Sequence, residues 1–281
     1  MSRWSWDSTW PAPAKLNLFL HVIGRRADGY HLLQTVFRFI DRADQLRFSP
    51  RTDGNIVLAT PTPGVPPDND LTVRAAHLLQ QATGSRHGAT IHLDKQLPMG
   101  GGLGGGSSDA ATVLLALNHL WQTGLSRPAL EKLGLGLGAD VPVFVHGRNT
   151  FAEGVGETFT DVGLPITSYL VLHPPVHVPT AAIFSAPELK RDTLAIAATA
   201  WQPRSGHNDL EPVACQRFPL VADYLATLRK VAPHAMMTGS GACVFAGFSG
   251  RIAAEQAQRA LPAGIVGWIA DGLPEHPLAN F

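Results

Sequence analysis

Six glycines fall within the eleven residues Pro98–Ser108, PMGGGLGGGSS, directly ahead of an apolar helical stripe of Ala110, Val113, Leu114, Leu117 and Trp121. Glycine tolerates positive φ and lets a ligand approach backbone N–H groups closely. A helix starting behind such a loop adds unpaired N–H donors and the positive end of its dipole. Ser107 and Ser108 add hydroxyls. Pro98, Met99, Gly100, Gly101, Gly102, Leu103, Gly104, Gly105, Gly106, Ser107 and Ser108 therefore read as an anion site suited to a polyphosphate. A Walker A loop needs Gly-Lys, and the chain contains no such pair. A dinucleotide fingerprint matches at Gly100, Gly102 and Gly105, but no acid follows at the ribose-binding distance.

Other residues able to do chemistry lie far from this loop. Asp140 stands between a glycine turn and the apolar run Val141–Val145; a turn or helix-cap aspartate has the same appearance. Lys15 is one of five lysines and shares a strand face with Asn17; a solvated strand lysine is the plain alternative. Tyr30 and His31 follow the Asp28-Gly29 turn, and Phe184 follows the segment Pro179–Ile183. Together these rings suit stacking and hydrogen bonding to a pyrimidine, although each is also an ordinary core or surface ring. Thr180 is a weaker contact candidate. A second glycine turn, Thr238-Gly239-Ser240-Gly241-Ala242, offers backbone donors for a diphosphate, or simply closes a hairpin. Metal ligands stay unspecified: twelve histidines and two cysteines form no HExxH and no CxxC. Magnesium brought with a nucleotide needs few protein ligands, and Ser108 is one candidate.

The elements that must position these residues show in the periodicity. Leu16, Leu18, Leu20 and Val22 alternate with polar residues, which predicts a strand with one buried face. His31–Ile40, 54–58 and 89–93 read as further strands. Asp70 is placed to cap a helix that Gly84 stops. A helix follows the glycine loop from Asp109, and a shorter one follows Ser126. Strands are expected over 169–172, 242–248 and 265–270, with helices over 220–231 and 251–261. Such interleaving reads as an α/β sandwich. A boundary near 160 separates residues 1–160 from 161–281.

Length and composition restrict the class. At about 150 residues per domain, 281 residues make roughly two domains. Lys+Arg and Asp+Glu are both 22, so the chain lacks the basic excess of a nucleic-acid binder. A 45% hydrophobic content argues against disorder. The amino terminus lacks a signal-peptide apolar core, and the longest uncharged stretch, 162–187, carries five prolines; no membrane association is expected, and the cytoplasm is the expected location.

Three segments taken together resemble the motifs of the GHMP kinases, the galacto-, homoserine, mevalonate and phosphomevalonate kinases. They are Pro13–Leu20 (PAKLNLFL), the Pro98–Ser108 loop and Thr238–Phe245 (TGSGACVF), in that order along nearly the whole chain. The extended glycine tract, Ala27–His31 (ADGYH) and Gly138–Phe144 (GADVPVF) are similar to one branch, whose substrate carries a cytidine diphosphate. The resemblance implies a two-domain α/β sandwich, an ATP-binding part over 1–160, a substrate-binding part over 161–281 and a cleft between them. It implies ATP and Mg2+ as cosubstrate and metal. It makes Asp140 the general base and Lys15 its partner, since an adjacent opposite charge favours an ionised carboxylate. It gives Tyr30, His31 and Phe184 to the cytosine, Asn17 and Thr180 to the substrate, and Gly239, Ser240 and Gly241 to its diphosphate. A small-alcohol kinase of another branch and a non-catalytic nucleotide sensor remain as alternatives.

Overall fold

The structure is a computed structural model and describes residues 4–281. Two long strands open the chain, β1 (Trp10–Arg25) and β2 (His31–Arg51), followed by β3 (Ile56–Leu58), α1 (Leu71–Thr83), β4 (Gly88–Asp94), α2 (Gly105–Leu120), α3 (Arg127–Leu135), α4 (Val141–His146), β5 (Thr150–Glu153) and β6 (Thr158–Asp161). The remainder holds β7 (Ser168–Leu172), α5 (Thr180–Phe184), α6 (Glu211–Arg217), α7 (Pro219–Val231), β8 (Met236–Met237), β9 (Val244–Phe248), α8 (Arg251–Arg259) and β10 (Gly267–Asp271). β1 to β6 form a six-stranded sheet in the order β3-β4-β2-β5-β6, with β1 paired to β2. The other four strands form an antiparallel sheet, β10-β7-β9-β8.

Four cores among the described residues hold these layers together, a small one around Phe19, Val36, Phe151 and Trp201 and three larger ones. Trp10, Phe39, Leu114 and Phe144 belong to the first, between the larger sheet and α1–α4. Leu170, Leu172, Leu225 and Val244 belong to the second, beneath the helices of the smaller sheet. The third lies between the sheets, where Ala14, Leu16 and Ile40 meet Tyr169, Val171 and Phe245. Each fully buried large apolar side chain contributes about 1.5–3 kcal/mol. The tail returns to the larger sheet: Leu273 N–H donates to the Phe39 carbonyl at 2.8 Å, and Arg127 donates to the carbonyls of Leu278 and Phe281.

Local signals place several of these elements. The Asp70 carboxylate accepts from Thr72 N–H at the start of α1, and Gly84 ends it at φ 67°. Two expectations change. β1 is covered on both faces: the smaller sheet packs on the Ala14 and Leu16 side, while Gly102, Asp140 and Thr238 close over Lys15 and Asn17, so Lys15, Asn17 and His21 are all buried. α2 begins at Gly105, four residues before Asp109, so the last glycines and both serines form its first turn. Short α5 and α6 carry too few turns to show a period.

Candidate active site

A cleft of about 670 Å³ runs between the two halves, lined by Lys15 and Asn17, the glycine loop, Asp140, Thr180, Phe184, Gly239 and Ser240. Its centre is an ion pair. Lys15 Nζ lies 3.3 Å from Asp140 Oδ2, with the lysine side chain 3% exposed and the aspartate 37%. The ammonium also donates to Asn17 Oδ1 at 2.6 Å and to the Gly102 carbonyl at 3.0 Å. β1 delivers Lys15, and α4 delivers Asp140 from its N-cap position. The Asp140 carboxylate makes no capping bond to α4, which leaves it directed to the lysine and the cleft. A half-exposed carboxylate held by a buried ammonium is suited to accept a proton from an alcohol.

Asn17 is committed to the protein. Its Oδ1 accepts from Lys15 and its Nδ2 donates to Thr35 Oγ1 at 2.9 Å, so the amide orients the lysine. Thr238, at the head of the second glycine turn, receives the Asn17 N–H on its hydroxyl at 3.0 Å. The two glycine loops also clamp each other, because Ala242 and Cys243 donate N–H bonds to the carbonyls of Gly100 and Gly101, both at 3.1 Å. A Cβ on Gly102 would run into the Thr238 carbonyl. Close backbone approach, more than a ligand, therefore demands glycine there.

The anion-binding features concentrate at the end of the loop. Gly104, at φ 72°, is the N-cap of α2, and Gly105, Gly106 and Ser107 form its first turn on the cleft wall. Leu103 puts its side chain into the inter-sheet core and only its backbone at the cleft. Ser108 is buried: its N–H bonds the Gly104 carbonyl and its hydroxyl donates its hydrogen to the Pro13 carbonyl at 2.7 Å, so neither hydrogen is left for a phosphate. Gly241 is likewise occupied: its N–H donates to the Thr238 carbonyl, leaving Gly239 and Ser240 on the cleft. Thr180 Oγ1 and Ser240 Oγ lie 2.8 Å apart, linking α5 to that turn.

The rings gather at one end. His31 and Phe184 have centroids 5.1 Å apart, inclined at 39°. They line a second cavity of about 460 Å³ with Tyr30, which is 62% exposed. Leu33, Ala139, Val155 and Phe184 line both cavities and so join them.

Sequence reasoning missed a charged group in the opposite wall. Lys95 Nζ contacts Asp44 Oδ2 at 2.5 Å and Asp109 Oδ2 at 2.7 Å. Asp44 also accepts N–H bonds from Gln96 and Leu97. Burial pushes the Asp109 carboxyl up to about 8; Lys95 opposes this, and Asp44 adds to it. Burial pulls Lys95 down, but the two carboxylates outweigh it and hold it above its ordinary value. The trio lies beside Gly105, where a Cβ would stand 3.1 Å from Lys95 Nζ and 3.5 Å from Asp44 Oδ2. Asp109 had shown only as a helix start, and no local pattern joins it to Asp44.

No group of three or more His, Cys, Asp or Glu side chains able to hold a metal occurs among the described residues. No helix among the described residues is long and apolar enough to cross a membrane.

A helix N-terminus behind a glycine loop, with a lysine-aspartate pair beside it in an interdomain cleft, fits a phosphotransferase acting on an alcohol. Residues 70–148 match the family pattern described as GHMP kinases N terminal domain, and residues 189–266 match GHMP kinases C terminal. The 4-diphosphocytidyl-2-C-methyl-D-erythritol kinase of Dechloromonas aromatica is 78% identical, over 96% of this chain and 99% of its own. That of Nitrosospira multiformis is 59% identical over 96% and 93%. A crystal structure of 4-(cytidine 5'-diphospho)-2C-methyl-D-erythritol kinase superposes with a TM-score of 0.80 at 35% identity, covering 94% of this chain and 99% of that one. Homoserine kinase from Cytophaga hutchinsonii shares the fold, with a TM-score of 0.69 at 16% identity over 95% and 94%. The chain belongs to the GHMP kinases and, within them, to the 4-diphosphocytidyl-2-C-methyl-D-erythritol kinases.

Proposed function

We propose that this enzyme transfers the γ-phosphoryl group of ATP to the 2-hydroxyl of 4-diphosphocytidyl-2-C-methyl-D-erythritol, a step in non-mevalonate isoprenoid precursor synthesis. The observation that carries the reading is the Lys15–Asp140 pair at 3.3 Å, set between the N-terminus of α2 and the His31–Phe184 cavity. The substrate hydroxyl attacks the γ-phosphorus, its proton passes to Asp140, and the bond to the bridging oxygen breaks to release ADP. Lys15 holds the carboxylate and stabilises charge on the transferred group. The backbone of Gly104–Ser107 receives the ATP phosphates, with Pro98, Met99 and the earlier glycines shaping the wall. Mg2+ enters with the nucleotide, held mainly by phosphates and water, and neutralises their charge.

The acceptor lies toward the second half. Tyr30, His31 and Phe184 take the cytosine, Thr180 and Ser240 contact the substrate, and Gly239 with Ser240 meets its diphosphate. Residues 1–160 form the nucleotide-binding part and 161–281 the substrate-binding part. The reaction takes place in the cytoplasm without nucleic acid; the zero formal net charge supports the latter. Homoserine or mevalonate would leave the ring-lined cavity without a base to hold. The test is a coupled kinase assay with purified protein, Mg2+, ATP and a panel of alcohols with and without a cytidyl group. Turnover restricted to the cytidyl compound supports the reading. Equal turnover of base-free methylerythritol phosphate would overturn it.

A further inference from the structure

Arg191 lies in the segment after α5, outside every motif. Its Nε donates to His31 Nε2 at 3.0 Å. Its Nη1 donates to the Leu189 carbonyl at 2.8 Å, and its Nη2 to the carbonyls of Phe184 at 3.1 Å and Ala186 at 2.7 Å. One planar guanidinium therefore ties the end of α5, which carries Phe184, to the first residue of β2, which carries His31. Both walls of the ring-lined cavity are set by this one side chain.

The chemistry of the Arg191–His31 bond is directional. Arginine is a donor only and does not lose its proton in proteins. His31 Nε2 must then be the acceptor, so it carries no proton, and a neutral imidazole with a bare Nε2 has its proton on Nδ1. No described residue accepts from Nδ1. Burial lowers the His31 pKa, and Arg191 and then Arg25 lower it further, consistent with a neutral ring. The cavity thus receives one fixed N–H donor from His31.

We propose that Arg191 is a specificity-positioning residue: by holding His31 as the Nδ1–H tautomer, it makes the base site donate to an acceptor on the base edge. This rests on the proposed cytidyl substrate. Cytosine presents a bare N3 as an acceptor, whereas uracil presents an N3–H donor there. A fixed N–H donor accepts the first and meets the second donor to donor, leaving two buried groups unpaired.

Two measurements test this on the intact enzyme. Long-range 1H–15N correlation spectra of 15N-labelled protein near neutral pH should assign the bare nitrogen of His31 to Nε2, with His31→Asn identifying the signal. Arg191→Ala should move the ring toward the other tautomer or toward the cation. Kinetically, Arg191→Ala should cut the cytidyl-over-uridyl preference in kcat/KM by about 5- to 150-fold, the cost of one unsatisfied group. ATP KM should stay within about twofold, and Arg191→Lys should restore little, since an ammonium lacks the planar fork. Because the arginine variants also lose carbonyl contacts, His31→Asn, which places an amide N–H near the δ position, serves as a second probe. It should retain more preference than His31→Gln, and adding Arg191→Ala to His31→Asn should not change the ratio further. A wild-type His31 protonated on Nε2, or an Arg191→Ala enzyme with full base preference, would overturn the proposal. Loss of any base requirement in the wild type would overturn the proposed substrate while leaving the tautomer result standing.

Discussion

The Lys15 ammonium, buried within β1, touches the Asp140 carboxylate at 3.3 Å while also donating to Asn17 and to the Gly102 carbonyl. One cation thereby connects the Asp140 carboxylate, the strand that carries the lysine and the glycine loop. Asp140→Asn should therefore lower kcat by about 100- to 10,000-fold, the usual contribution of a general base. Because the Asp140 carboxylate makes no capping bond to α4, the melting temperature should barely change. A variant keeping a tenth of wild-type turnover would remove Asp140 from the role.

Lys15→Ala should lower kcat steeply and also destabilise the fold. It leaves Asn17 Oδ1 and the Gly102 carbonyl without their donor, at about 1–3 kcal/mol for each buried group left unpaired. Lys15→Arg should rescue little, because a guanidinium does not fit a site closed around an ammonium that sits 5.5 Å from the Phe37 ring centroid. Urea denaturation and steady-state kinetics on both variants separate the two effects. Near-complete rescue by arginine would mean that a diffuse positive charge suffices.

Two glycines of the loop should respond differently to a side chain. A Cβ on Gly104 would lie 2.9 Å from the Phe144 ring and 3.1 Å from Lys15 Cε, at a φ of 72°. Gly104→Val should lose stability and activity together. A Cβ on Gly106 meets only Leu71 Cδ1, at 3.6 Å. Gly106→Val should fold and yet weaken ATP binding, since its side chain stands at the first turn of α2. Unchanged ATP affinity in calorimetric titration of Gly106→Val would move the phosphates away from this turn.

The raised pKa of the buried Asp109 carboxyl predicts a pH dependence of stability. Asp109 is raised from 3.8 to about 8 in the fold. Between those values the native state binds more protons than the unfolded state, so this site stabilises most below pH ~4 and loses its contribution as pH rises toward about 8. Asp109→Asn removes the titration and keeps the shape. The stability difference between wild type and variant should fall across that window; a constant difference would show that Asp109 is ionised in the fold.

Phe184→Ala should raise KM for the cytidyl substrate by roughly 5- to 150-fold, corresponding to about 1–3 kcal/mol of base stacking. Stacking ignores the base edge, so the choice between cytidyl and uridyl substrates should change little. A large change in that choice would place edge recognition on Phe184 itself.

The phosphate loop, its helix, the Asp70 cap and most strands could be read from the sequence because their signals are local. Glycine spacing, a capping carboxylate and a two-residue period act through neighbours within a few positions of the chain. Asp140 and Lys15 were visible as candidates and the family resemblance paired them, but no local pattern brings them together, since their meeting depends on α2 packing against both β1 and α4. The alternation of β1 was equally silent about what would cover its polar face. Only the arrival of the two glycine turns and of Asp140 turns Lys15 and Asn17 from solvent-facing residues into the buried floor of a cleft. The same holds for Ser108, whose hydroxyl is captured by Pro13, for Lys95 between Asp44 and Asp109, and for Arg191 on His31. In each case the partners are distant in the chain, and the directional bond that defines the residue forms only once packing brings a specific donor and acceptor within about 3 Å and excludes the water that would otherwise satisfy both.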